Sequence, residues 1–178
     1  HGYKVAIMGT AADELYTGYY DHHNMYLYEV SNDPDLHAKS LKAWEDYQSK
    51  IVRNPFLKQP DLFIKDPTFR GHIYLNNDEF ASWFKDDWFE DFTETDYGQP
   101  LLRNRMMNEL FTEAVPIILN EDDLNAMYYS IENRSPFLDR QLFDLAYSIP
   151  TRHLIQNGIA KSVLRESMRG IVPNSILD

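Results

Sequence analysis

Residues 2–20 read GYKVAIMGTAADELYTGYY, and the parsing of this stretch decides the fold. Val5-Ala6-Ile7-Met8 is apolar on both alternating faces and too short for a helix, the pattern of a strand buried in a parallel sheet. Gly9 interrupts it, and Ala11-Ala12-Asp13-Glu14-Leu15 resumes in helix-favouring residues. The stretch therefore reads as strand, tight turn and helix start. Ligands of open α/β sheets bind in the crevice outside the carboxyl ends of the strands, and the adjacent acids Asp13 and Glu14 fall there. A carboxylate at that place can hold Mg²⁺, the usual companion of nucleotide phosphates. Two acids in a first helical turn also simply complement the helix dipole, so spacing alone leaves both roles open.

The rest of the composition narrows the function by exclusion. A chain of 178 residues can bury one core, and 43% hydrophobic content argues against disorder. Lys and Arg number 17 against 28 Asp and Glu, a formal charge of -11 that repels phosphate backbones and anionic lipid, so neither nucleic acid nor membrane is expected as a partner. There is no Cys, which removes disulfides, thiolate metal sites and a cysteine nucleophile from this stretch of protein. No apolar run approaches the roughly 18–20 residues that span a bilayer, and no basic-then-apolar leader opens the chain, so a cytoplasmic location is expected. The opening on His1, straight into a strand, reads as the start of a fragment.

Helical periodicity dominates the remainder of the chain. Leu41, Trp44, Tyr47 and Ile51 give an amphipathic helix over 35–51, and Pro55, Pro60 and Pro67 make 54–67 a loop. Phe80, Phe84, Trp88 and Phe92 recur every fourth residue across 77–92, predicting a helix with one aromatic face. Met106, Met107, Leu110, Phe111, Ala114 and Ile118 predict another over 104–119, kinked at Pro116. Asp122 or Asp123 then caps a helix carrying Leu124, Met127, Tyr128 and Ile131, and Asp139 caps one whose apolar side is Leu142, Phe143, Ala146 and Ile149. A last helix spans 160–169, with Gly170 as its cap. The fold class expected is mostly α with a short N-terminal β-strand.

Three blocks in order carry a resemblance. Residues 2–20 are similar to the S-G-E-G-x-D-E-x-x-x-G-Y signature of the asparagine synthetase family, which includes the β-lactam-forming synthetases. Asp123-Leu124-Asn125-Ala126-Met127 with Glu132-Asn133-Arg134-Ser135-Pro136-Phe137-Leu138-Asp139 resembles its D-x-x-S-M and E-x-R-x-P-F-L-D blocks. Gly158-Ile159-Ala160-Lys161-Ser162-Val163-Leu164-Arg165 resembles G-x-x-K-x-x-L-R, with Pro173 where the family has a proline. The resemblance covers residues 2–20 and 104–177; residues 21–103 carry no matching motif and read as a divergent helical insertion.

The resemblance implies the C-terminal portion of an α/β adenine-nucleotide-binding synthetase domain of Rossmann-like, ATP-pyrophosphatase type, using ATP and Mg²⁺. It implies adenylation of a small-molecule carboxylate and attack by ammonia, supplied from glutamine by a glutaminase domain of the same full-length chain. A homodimer is a further expectation. Asp13 is then the metal and cofactor residue, with Gly9, Glu14 and Arg165 on the cofactor side; Lys161 neutralises the leaving pyrophosphate, and Asp123 and Thr10 complete the catalytic set. Thr10 departs from the pattern: it replaces the glutamate thought to act as base, while Met8 and Ala11 replace the flanking Ser and Gly. A hydroxyl cannot take a proton near neutral pH, so either another carboxylate, Asp122 or Asp123, replaces the base in ordinary asparagine synthesis, or a different carboxylate is amidated, such as a uronic acid of surface polysaccharide, which is the expectation favoured. The phosphate-cradling S-G-G-x-D-S loop is not in the chain, so the fragment alone is not expected to turn over ATP. The alternative is a non-catalytic relative that only binds or assembles. Glu132 and Arg134 read as an ion pair setting a turn, and Asp21-His22-His23 as a surface or site-edge string rather than a metal site.

Overall fold

The strand expected at the start of the chain forms as β1 (Val5–Ile7), and its partner is a segment whose sequence reads as a turn. In the structure, a computed structural model that describes residues 2–74, 76–86 and 92–177, β2 (Glu132–Arg134) lies parallel to β1 with Val5 opposite Glu132 and Ile7 opposite Arg134. Glu132 and Arg134 stand two apart and so project from the same side of the strand, where the Arg134 Nε donates to Glu132 Oε1 at 2.9 Å. The expected ion pair is present, but it decorates a strand. The expectation of a strand buried on both faces fails: Ile7 is 77% exposed, because α8 covers the face that carries Ala6 and Asn133 while the face of Val5 and Ile7 is left to solvent among the described residues.

Helices supply the rest of the architecture. After β1 come α1 (Ala12–Tyr16) and α2 (Tyr20–Glu29). The expected amphipathic helix over 35–51 runs as α3 (Pro34–Ala43), a π turn (Trp44–Gln48) and α4 (Ser49–Ile51), started by Asp33, whose carboxylate accepts the Leu36 N–H at 3.1 Å. Two short helices follow, α5 (Leu62–Lys65) and α6 (Asn77–Ala81). The aromatic helix expected to reach residue 92 therefore ends by Ala81; Phe80 and Phe84 still meet edge-to-face at 5.1 Å, while Trp88 and Phe89 lie outside the described residues. The second half holds α7 (Leu101–Phe111), α8 (Ala114–Tyr128), α9 (Arg140–Ser148), α10 (Ser162–Ser167) and α11 (Asn174–Leu177).

Pro116 shows why the reading of 104–131 needs correction. It occupies the first turn of α8, where a missing N–H costs nothing, so it starts a helix rather than kinking one. Asp122 and Asp123 consequently fall inside α8 and cap no helix. Asp139 does cap α9, accepting the Leu142 N–H at 3.0 Å, and Ala146 on the expected apolar face is fully buried.

Helix α7 joins two apolar clusters. Its Leu102 and Met106 pack with Met25, Tyr26, Phe63 and Leu154, and its Leu110 packs with Ala11, Leu15, Val115 and Ala146. Each of the larger side chains among them, such as Leu102, Met106 and Phe63, contributes about 1.5–3 kcal/mol on burial. The second cluster is what docks α1 against α7 and α9, and so fixes where the acids of α1 point. Helix α2 has no counterpart in the sequence pattern. Its residues Asp21, His22, His23, Asn24, Met25, Tyr26 and Leu27 are all buried, so it shows no apolar stripe for periodicity to detect.

Candidate functional site

Ala11, not Gly9, makes the turn that enters α1. Ala11 adopts the left-handed conformation at φ 78°, while Gly9 accepts the Ala12 N–H at 3.2 Å and keeps open space around it. Thr10 sits half-buried between them. From that turn Asp13 and Glu14 diverge, as successive residues on a helix must. Glu14 is buried and accepts the Tyr19 hydroxyl at 2.5 Å; burial first, and then this carboxylate, push the Tyr19 phenol far above its ordinary value. Asp13 turns outward, over Gly18: a Cβ added at Gly18 would collide with the Asp13 carboxylate, so only glycine fits there.

Lys161 meets Asp13. Its ammonium forms an ion pair with Asp13 Oδ1, and the two side chains remain 30% and 37% exposed. No other donor among the described residues satisfies Asp13 Oδ1. Lys161 also lines a groove of about 620 Å³ whose walls include Tyr16, Phe137, Leu142 and Leu164, which leaves concave space beside its charge. Arg165 lines the same groove, but its Nε donates to Ala160 O at 3.2 Å and its Nη1 to Leu177 O at 2.8 Å, so it ties down the end of the chain. Asp123 is exposed on the outer face of α8 and is not drawn into this group. Its neighbour Asp122 faces β2 instead, its carbonyl accepting the Asn133 side chain at 2.8 Å.

Behind the acidic turn lies a buried polar network where the sequence suggests a surface or site-edge string. The Gly18 N–H donates to His22 Nδ1 at 3.2 Å, which leaves the ring proton on Nε2 facing Glu109 Oε2 at 2.7 Å. Arg105 Nε donates to Glu109 Oε1 at 3.1 Å, and its terminal nitrogens reach Glu94 at 2.9 Å and Glu113 at 2.6 Å. Burial would raise Asp21, but its bond to His72 at 3.2 Å, together with His22 and Arg105, holds the carboxyl well below the usual range. Asp21, His22 and Glu109 stand close enough to share a metal ion. The guanidinium of Arg105, 3.6 Å from Asp21 and 3.1 Å from Glu109, already supplies the cation between them. Of this group Gly18 carries a signal in the sequence as part of the family signature, and Asp21 and His22 stand out as a string read as surface or site-edge; Glu109 carries none.

His23 behaves differently because no carboxylate touches it. Burial first, and then the adjacent His22, push it down to about 4 from the ordinary 6.5. Below pH 6.5 the unfolded chain therefore takes up a proton that the native state refuses, so stability present above pH 6.5 is lost as pH falls toward 4. Between pH 7 and pH 5 this group alone removes about 2 kcal/mol of unfolding free energy. Denaturant titrations at the two pH values should show His23→Gln losing that much less than the parent protein; equal losses would exclude His23 as the acid-labile group.

Known proteins are similar to the chain over nearly all of its length. Over 98% of its length the chain is 43% identical to a Bacillus subtilis protein named asparagine synthetase 1, glutamine-hydrolysing, and covers 29% of that protein. It is 29% identical, again over 98% of its length, to proteins of Mycobacterium bovis and Mycobacterium tuberculosis provisionally named asparagine synthetase, glutamine-hydrolysing, covering 28% of each. The chain thus spans less than a third of these relatives. No solved structure matches it. Among the described residues no helix is long and apolar enough to cross a membrane. The match to the family described as asparagine synthase runs over residues 1–178, through the middle stretch that carries no recognisable motif as well as the three blocks, and the chain belongs to that family.

Proposed function

We propose that the chain supplies the polyphosphate-facing wall of an ATP-dependent amide-forming synthetase. The observation that carries this reading is the convergence of Asp13 and Lys161 beside an open groove, from positions on α1 and at the start of α10. In the reaction, a substrate carboxylate oxygen attacks the α-phosphorus of ATP and the bond to the bridging oxygen breaks, giving an acyl adenylate and pyrophosphate. A nitrogen nucleophile then attacks the acyl carbon, AMP leaves and the nitrogen gives up a proton. Charge neutralisation and positioning are the main demands of such chemistry.

Residue roles follow from those demands. Mg²⁺ fits the Asp13 carboxylate, whose side chain is part-exposed while its Oδ1 is buried against Lys161, since that ion is held by one or two carboxylates and by substrate phosphates. Bound there, it would offset phosphate charge. Glu14, committed to Tyr19, holds the helix that presents Asp13. Lys161, a point cation on a flexible stem, follows the charge that develops on departing pyrophosphate. Thr10, at the entrance of α1, has no basic group to offer the nitrogen nucleophile, which favours a carboxylate other than aspartate, a uronic acid of surface polysaccharide being the substrate proposed. Ammonia would come from a glutaminase domain elsewhere in the full-length chain, because no cysteine is available here.

The rest of the nucleotide site would be built by further parts of the synthetase domain. The exposed face of the β1–β2 pair, with Val5 and Ile7, and the outward apolar side chains Leu124, Met127 and Tyr128 of α8 support that reading, since parallel strands are ordinarily buried on both faces. The test is pyrophosphate release by the full-length protein with ATP and ammonia, comparing aspartate with glucuronate and identifying the amide by mass spectrometry. Release dependent on glucuronate is expected; dependence on aspartate alone would overturn the substrate, and no carboxylate-dependent release would overturn the synthetase reading. Residues 1–178 by themselves should be inactive.

A further inference from the structure

The ion pair of Asp13 and Lys161 rests on strained backbone. Five non-glycine residues among those described have positive φ, and three of them frame the pair: Ala11 at 78°, Thr17 at 68° and Lys161 at 57°. Thr17 is the most anomalous, because a β-branched residue resists this region and its side chain is nonetheless completely buried. Glycine would adopt that backbone freely, and the chain does place one next door at Gly18. What threonine offers in its place is a hydroxyl.

That hydroxyl joins two distant segments. Thr17 Oγ1 donates to the Tyr16 carbonyl, with Leu154 O 3.4 Å away, and accepts the Lys161 N–H at 3.3 Å. The same N–H reaches Tyr16 O at 3.1 Å, and the next one, from Ser162, donates to Leu154 O at 3.1 Å. The end of α1 is thereby stitched to the residue that starts α10. Strained conformations persist only where their surroundings over-determine them, and they concentrate at functional sites.

We infer that Thr17 is a positioning residue for Lys161: its hydroxyl holds the left-handed turn at 161 and so keeps the lysine ammonium over Asp13. A lysine stem is flexible, so the one part of its trajectory the fold can dictate is the backbone from which it springs. Deprived of the hydroxyl, the Lys161 N–H keeps the Tyr16 carbonyl alone, itself no longer pinned by Thr17, and residue 161 can relax toward the right-handed region that L-residues prefer, which re-aims the side chain. The kinetic consequence rests on the synthetase reading; the geometric claim stands apart from it.

The test compares Thr17→Gly, Thr17→Ser and Thr17→Val in the full-length protein, with two readouts. Hydrogen–deuterium exchange at the Lys161 amide reports the turn, and kcat for carboxylate-dependent pyrophosphate release reports the site. Thr17→Gly relieves the φ strain yet lacks the hydroxyl, so it should exchange at least tenfold faster at Lys161 and lose at least tenfold in kcat while melting at the parent temperature. Thr17→Ser should restore both. Thr17→Val keeps the shape of threonine and stands in should the glycine variant misfold. Parent-like exchange in Thr17→Gly and Thr17→Val, or a serine variant as defective as the glycine one, overturns the inference. Faster exchange rescued by serine, in a protein that shows no pyrophosphate release at all, upholds the positioning role and sinks the synthetase reading instead.

Discussion

Lys161→Met in the full-length protein should lower carboxylate-dependent pyrophosphate release by about 10²–10³-fold, the range found when one charge-stabilising donor is removed from an active site. Methionine keeps most of the stem and its packing against the groove while deleting the ammonium. Stability should barely change. The Asp13–Lys161 pair is about one-third exposed, and partly solvated ion pairs contribute no more than about 1 kcal/mol. A large kinetic loss beside an unchanged melting temperature separates a role in the reaction from one in folding. Lys161→Arg should recover little, because a planar fork suits two fixed oxygens and serves a moving charge poorly. Release within threefold of the parent in Lys161→Met would remove Lys161 from the chemistry and, with it, the observation on which the functional reading rests.

The elements that sequence makes legible are those whose cause is local. A four-residue apolar run followed by glycine and two acids is legible as strand, turn and helix from its own residues, although its pairing partner is not, and Asp139 announces α9 by its capping carboxylate. Elements fixed by distant contacts are silent. Three residues as polar as Glu132-Asn133-Arg134 become a strand because β1 is there to pair with, and α2 is a helix whose buried face is polar as well as apolar. The site divides along the same line. The meeting of Asp13 with Lys161 is legible only through family resemblance, since nothing in the spacing of two residues so far apart brings them together. Thr17 and Glu109, whose roles depend on a hydrogen bond to a segment far along the chain, leave no trace in periodicity or motif.

That dependence on distant partners is most acute at Arg105. Its side chain is 6% exposed and faces Asp21, Glu94, Glu109 and Glu113, four carboxylates contributed by three segments. Arg105→Met would leave those carboxylates, among the described residues, with only His72, Arg70 and His22 to answer them. Removing one partner of a buried charge group typically costs about 3–5 kcal/mol, because the charges left behind have lost their solvent without gaining a substitute. Denaturant unfolding at neutral pH should register a loss of that size. The deficit should shrink in acid, since carboxylates deprived of the guanidinium have folded-state values raised above the unfolded ones and are stabilised as pH falls and they take up protons. A destabilisation below about 1 kcal/mol would mean that water reaches the network and that its charges are already screened. Because His22 carries the network to Gly18, and Gly18 bears directly on Asp13, the same variant, if it folds, should also loosen the Gly18 amide to exchange. An amide at Gly18 as protected as in the parent would sever the buried network from the site and leave Arg105 a purely structural charge.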